Sequence, residues 1–158
     1  MTGSGAGITV RSPLPGDLAA VIRLESASFT DPWTDDALAQ ELAPDRLRLP
    51  LIAEAEGSVV GYLMAWKIVD QLHILNIAAE PARRRRGIGT ALLKAAANLA
   101  LEIGLTEFTL EVRESNAEAQ AFYLGHGFVA TGRRPGYYAD NGEDAIIMTS
   151  PTSRVLQD

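Results

Sequence analysis

The 158 residues contain no cysteine. Disulfides, thiolate metal sites and a covalent acyl-cysteine intermediate are therefore excluded together. Histidine occurs only at His73 and His126, so any metal site would have to be completed by carboxylates, and none is expected. No segment approaches the roughly 20 consecutive apolar residues of a membrane span. The opening MTGSGAG offers neither the basic cluster nor the apolar run of a secretory signal, so a cytoplasmic protein with no membrane partner is expected. Basic residues are also scarce: 14 Lys and Arg stand against 20 Asp and Glu, a net charge of -6. Direct nucleic-acid binding needs a basic face and is not expected; a cationic partner suits the balance better.

What is present is enough apolar material for one core, since 47% of residues are hydrophobic. A single domain is expected over 1–158, with 1–7 and 151–158 as flexible tails. Strand and helix signals alternate throughout, predicting an α/β (α+β) fold. Ile8 to Arg11 reads as a strand, Leu14 to Phe29 as a helix, and a second short helix follows Thr34. Apolar runs from Leu49 to Ala55 and Val59 to Ile68 flank Glu56-Gly57-Ser58, predicting an antiparallel hairpin, and Ile74 to Ala78 continues the sheet. In GIGTALLKAAANLALEIG, residues Leu92, Leu93, Ala96, Leu99, Ala100 and Ile103 share one helical face, with Gly104 as the stop. Phe108, Leu110 and Val112 alternate with Thr109, Glu111 and Arg113 as in a strand. Ser115 precedes Glu118 by three, the spacing of a capping box that starts a helix at Asn116, and Gly125 and Gly127 end it. Phe128 to Thr131 and Ala145 to Met148 read as strands joined through an Asp140-Asn141-Gly142 turn.

Three constellations can carry chemistry. Arg83 to Arg86 reverse the sign of the molecule locally, and Arg84, Arg85, Arg86, Gly87, Ile88, Gly89 and Thr90 sit between a strand and the head of a long helix. Helix N-termini expose unpaired N–H groups and a positive dipole, a setting suited to a pyrophosphate, to which arginines add charge-assisted hydrogen bonds. Taken alone, the same run is equally a solvated turn with glycines that allow close packing. A dinucleotide fingerprint would need a third glycine at Leu92 and a P-loop a Gly-Lys-Ser/Thr ending, so both are excluded. The second is Glu111, a carboxylate on the polar face of an apolar strand; in a partly dry cleft its pKa is expected to rise toward a value useful for deprotonating an amine, unless Arg113 on the same face lowers it. A solvent-facing ion pair is the plainer reading of that position. The third is Asn116 with Tyr123, seven apart and thus on one side of a short helix; a phenol keeps its proton at neutral pH and can act as an acid, though simple packing beside Phe122 is the plainer account.

Arg84 to Gly89, read as Arg-x-x-Gly-x-Gly, resembles the coenzyme A signature of the GNAT superfamily of N-acetyltransferases. LNIAAEP resembles that superfamily's strand beside the pantetheine arm. ESASFTDPWT, LEVRESNAEAQAFYLGHGF and RRPGYYADNGEDAIIM are similar, in order, to the substrate loop, catalytic strand with last helix, and terminal hairpin of its ribosomal-protein-alanine acetyltransferases, the RimI group. The resemblance runs from about Glu25 to Met148. It implies a mixed, mostly antiparallel sheet of about six to seven strands flanked by about four helices, with acetyl-CoA as cosubstrate and no metal. It assigns Glu111 as general base, acting directly or through water, and Tyr123 as general acid toward the coenzyme A sulfur. Cofactor contacts fall to Ile77, Ala78, Ala79, Arg84 to Thr90, Asn116 and Tyr123, and an oxyanion would form near Ala79. Phe29, Trp33, Tyr137 and Tyr138 become substrate walls, with core packing an equal account of Phe29 and Trp33.

The acceptor implied is a protein N-terminus, specifically the N-terminal alanine of a basic small-subunit ribosomal protein. A lysine or small-amine acetyltransferase on the same fold and a non-catalytic acyl-coenzyme A sensor remain alternatives. The resemblance fails at Gly125-His126, where the superfamily has a basic and then an apolar residue; this departure is expected to loosen the helix end beside Tyr123.

Overall fold

The computed structural model describes residues 7–83 and 87–157. Among the described residues, the mixed hydrophobic periodicities resolve into seven strands and four α-helices: β1 (Ile8–Arg11), α1 (Leu18–Ser28), α2 (Asp35–Glu41), β2 (Leu51–Ala55), β3 (Ser58–Ile68), β4 (Gln71–Ala79), α3 (Ile88–Glu102), β5 (Glu107–Arg113), α4 (Ala117–Gly125), β6 (Val129–Tyr138) and β7 (Glu143–Pro151). One sheet carries all seven strands in the order β1-β2-β3-β4-β5-β7-β6. Every neighbouring pair is antiparallel except β4 and β5, which α3 connects as a crossover. This is the mixed, mostly antiparallel architecture expected.

Each face of the sheet buries a separate apolar cluster. On one side α3 lays Ala91, Leu92, Leu93, Ala95, Ala96 and Ala100 against Leu63, Leu72, Ile74, Phe108 and Leu110. The small alanines let the helix approach closely. On the other side α1 and α2 cover Ile52, Tyr62, Met64 and Ala78 with Val21, Leu24, Leu38 and Leu42. Thr34 starts α2 as expected, its Oγ1 accepting the Ala37 N–H at 3.1 Å.

Several boundaries move. The first helix starts at Leu18 rather than Leu14, because Pro15 to Asp17 form a 3-10 turn. The Asp17 carboxylate draws that turn in, accepting the Leu14 N–H at 2.6 Å and pairing with Arg11 of β1 at 2.7 and 3.1 Å. Strand β6 runs to Tyr138, far beyond Thr131, and β7 reaches Pro151. Arg133, Arg134 and Pro135 hide β6 from a hydrophobic pattern, and such residues are tolerated because β6 is an edge strand. Ser115 is not a cap: Asn116 is, its Oδ1 accepting the Ala119 N–H at 3.0 Å, while the Ser115 N–H donates to Glu143. Nor are all of residues 151–158 a loose tail. Thr152–Leu156 forms a 3-10 turn with Thr152 and Val155 buried, the Thr152 hydroxyl donating to the Leu105 carbonyl.

The Asp17 carboxylate is held below the usual range, chiefly by Arg11 and also by the Leu14 N–H, against the opposing effect of burial. A depressed carboxylate stabilises the fold above its unfolded pKa and loses that contribution as the pH falls through the folded value. Asp17→Asn is expected to lower stability by about 1–2 kcal/mol at pH 7, with the difference from the parent protein shrinking below about pH 4, as read by urea denaturation at several pH values.

Candidate active site

A bulge in β4 produces the site. Met64 and Ala65 are adjacent on β3, yet they oppose Asn76 and Ile74, so Leu75 is an extra residue between two paired positions. The insertion reverses which face the side chains address. Leu72 and Ile74 face α3, whereas beyond the bulge Ile77 and Ala79 take that face and Ala78 turns toward α1. The same irregularity ends the parallel pairing. β4 follows β5 from Gln71–Glu107 to Ile74–Leu110, and among the described residues the ladder goes no further. Past that point Ile77, Ala78 and Ala79 keep their partners on β3, while their other edge is left open toward β5.

Glu111 is the first residue of β5 beyond the last paired position, and its side chain is only 9% exposed. Its Oε1 lies 2.7 Å from Nε2 of His73 on β4, and its Oε2 accepts the Arg134 Nε–H of β6 at 3.1 Å. Burial acts to raise its pKa, but the hydrogen bonds and charges of His73 and Arg134 outweigh burial and hold the carboxylate below its ordinary value. The expected rise is thus reversed. Arg113 is not the cause, because it turns to Asp140 and Glu143 and lies over the Tyr138 ring at 4.0 Å from the centroid.

Tyr123 sits on the inner face of α4, 6% exposed, between Phe122 and Phe128 at centroid distances of 5.2 Å each. Burial, with a smaller effect from Tyr138, pushes its phenol well above the ordinary tyrosine range. Tyr138 itself is pushed up to about 12 by burial, with Tyr137, Glu111 and Glu143 adding to it against Arg113, and Tyr137 is also raised, first by burial and then by Glu111. The structure therefore brings Glu111, Tyr123, Tyr137 and Tyr138 into one electrostatic neighbourhood. Asn116 does not share the buried face of Tyr123: it is an exposed cap in front of the helix, with its Oδ1 already engaged.

At the head of α3, Gly87 adopts a left-handed conformation with φ of 85°, which favours glycine, and its carbonyl accepts the Ala91 N–H. No acidic residue occupies the first turn, leaving the N–H groups of Ile88, Gly89 and Thr90 in a positive field. A Cβ on Gly89 would approach the Phe122 ring to 3.0 Å, so this glycine also serves close packing of α3 on α4. Arg84, Arg85 and Arg86 lie outside the described residues. His126 ties the two helices together rather than loosening them, with Nε2 3.0 Å from the Thr90 hydroxyl and its ring edge-on to Phe122 at 4.8 Å.

Phe29 and Trp33 belong to the opposite cluster, packed against the core under α1 and α2. Their loop is held by Glu25, a residue the sequence reading did not single out. Glu25 is 1% exposed; it accepts from the Trp33 N–H at 2.9 Å, from the Asn76 side-chain amide at 2.8 Å and from the Tyr62 hydroxyl. A lone glutamate among the apolar positions of α1 was its only signal.

The chain as a whole, which carries the parted β4–β5 pair, the glycine-led helix head and the buried Glu111, is similar to known proteins. Residues 18–128 fit the model of the acetyltransferase (GNAT) family. This chain belongs to the GNAT family. It is an N-acetyltransferase, consistent with relatives that share most of its length. A Bacillus subtilis protein named as a candidate bS18-alanine N-acetyltransferase is 39% identical over 139 residues, 88% of this chain and 92% of its own. The bS18-alanine N-acetyltransferase of Escherichia coli strain K12 is 33% identical over 147 residues, 92% of this chain and 98% of its own. A crystal structure of the Escherichia coli ribosomal-protein-S18-alanine N-acetyltransferase aligns with a TM-score of 0.82 at 32% identity, covering 92% of this chain and 94% of that one.

Within this GNAT chain, Glu25→Ala is expected to leave three donors without their acceptor and to cost about 3 kcal/mol, measured by chemical denaturation. An unchanged midpoint would show that Glu25 does not hold the Trp33 loop.

Proposed function

We propose that this enzyme transfers the acetyl group of acetyl-CoA to the α-amino group of a protein N-terminus, with the N-terminal alanine of a basic small-subunit ribosomal protein, bS18, as the acceptor. The observation that carries the reading is the placement of Glu111 at the first unpaired step between β4 and β5. The identity of the two bS18-alanine acetyltransferase relatives supports the acceptor.

The residues fit an acetyl-CoA cosubstrate. The open edge of Ile77 to Ala79 offers backbone groups to a pantetheine arm, and the N–H groups of Ile88, Gly89 and Thr90 suit its diphosphate. Arg84, Arg85 and Arg86 would supply cations there. An amine attacks a thioester only when neutral, and an α-amino group with a pKa of about 8 is easier to neutralise than a lysine near 10.4 by roughly 3 kcal/mol at pH 7. Glu111 receives the amine proton, directly or through water. Backbone N–H groups near Ala79 stabilise the tetrahedral oxyanion. Tyr123, kept protonated by burial, presents its O–H to the departing sulfur. Tyr137 and Tyr138, with Phe29 and Trp33, border the acceptor. The excess acidic charge favours a basic partner.

Glu111→Gln is expected to lower kcat by about 100-fold or more with acetyl-CoA affinity retained, the deficit being largest well below the α-amino pKa of about 8; an unchanged pH–rate profile would remove Glu111 from this role. Gly89→Asp adds a negative charge at the helix head and a contact with Phe122, and is expected to weaken coenzyme A binding by about tenfold or more in calorimetry. Among an alanine-starting bS18 peptide, its pre-acetylated twin with an internal lysine, and spermidine, only the first should turn over rapidly. Preferred transfer to either of the others would overturn the acceptor assignment.

A further inference from the structure

Two side chains grip the carboxylate of Glu111, one on each oxygen: Nε2 of His73 at 2.7 Å from Oε1, and Nε of Arg134 at 3.1 Å from Oε2. They differ in one respect that matters for proton transfer. A guanidinium is a permanent cation, whereas an imidazole exists as a cation or as a neutral donor. Either form can place an N–H on Oε1, so the hydrogen bond persists while the charge beside the carboxylate changes.

We propose that His73 is a positioning residue for acetyl transfer, fixing the orientation of Glu111 through Nε2–H and setting its proton affinity by its own charge. This rests on the reading of Glu111 as the base. With His73 protonated, Glu111 faces two cations and is a poor acceptor. With His73 neutral, only Arg134 opposes protonation, and the carboxylate accepts the ammonium proton of the substrate, becoming a carboxylic acid beside a neutral imidazole. No bond to carbon changes at this step: one N–H bond of the ammonium breaks and one O–H bond forms.

Among the described residues, the surroundings leave His73 as the group able to exert this control. From β5 the charged neighbour is Glu111 itself. From β6 come Arg134 and, acting on Glu111, Tyr137 and Tyr138, both with raised phenol pKa values that keep them neutral. From β3 the register partner is Trp66, which does not titrate; its indole N–H donates to Glu41 at 2.8 Å, and Glu41 is already paired with Arg48. Glu25, across the same face, is occupied by Tyr62, Asn76 and Trp33. The sheet places His73 rigidly, opposite Thr109 of β5 in the last stretch of paired parallel strand before the parting.

The test uses His73→Gln, whose side-chain amide can donate to Oε1 but never gains a charge. Its acidic limb of kcat at saturating acetyl-CoA and peptide is expected to move down by about one pH unit or more, while the KM for acetyl-CoA stays within about twofold of the parent enzyme. His73→Ala, which removes the donor as well, should lower kcat by about tenfold. In the unaltered protein, nitrogen NMR of the imidazole should find the neutral ring protonated at Nε2, and Glu111→Gln should change that ring's titration. A parent-like limb in His73→Gln, or a neutral ring protonated at Nδ1, would overturn the proposal. If Glu111→Gln itself kept full activity, the base reading would fail instead, and the NMR titration would still decide whether His73 and Glu111 are coupled.

Discussion

The parting of β4 from β5 is the constraint from which the rest of the site follows. A single inserted residue, Leu75, lets β4 stay paired to β3 while it leaves β5 after four matched positions. Interior sheet backbone without strand partners must be satisfied by something else, so the gap leaves open hydrogen-bonding groups on the edge of β4. The crossover helix α3 follows the open end of β4 in sequence, so the positive end of a helix is placed toward that end of the strand.

Charge is distributed to match that geometry. The molecule is acidic overall, yet the buried acid at the parting is surrounded by His73 and Arg134, so its negative charge is stabilised rather than suppressed. The nearby phenols take the opposite course: burial keeps Tyr123 and Tyr138 protonated. An anion that stays charged beside phenols that stay neutral gives acceptor and donor distinct environments, the usual condition for acid–base work at one pH. On the face of the sheet covered by α1 and α2, Glu25 links α1, β3, β4 and the Trp33 loop, so that loop is tied to the same strand that carries the bulge.

The head of α3 is packed from two directions. His126 bonds Thr90, and Gly89 lies against Phe122, so the head of α3 and the end of α4 support each other. The Thr152–Leu156 turn covers α3 from beneath, with Val155 fully buried in its core. These contacts hold the head of α3 from two sides.

Much of this was legible in the residues. The periodicities located every strand and α-helix, Thr34 announced the start of α2, and the run from Arg84 to Gly89 with LNIAAEP and LEVRESN pointed to the family. These signals are local: alternation, glycine positions and motif spacing survive in one dimension. The tertiary structure decided what depends on contacts between distant segments. The pKa direction of Glu111 turned on His73, 38 residues away, and on Arg134, 23 away; the role of Glu25 turned on Tyr62 and Asn76; and the length of β6 turned on its being an edge, where charge and proline are tolerated. A chain can write its own hydrophobic period, but the electric field at a buried carboxylate is set by neighbours that only folding brings near.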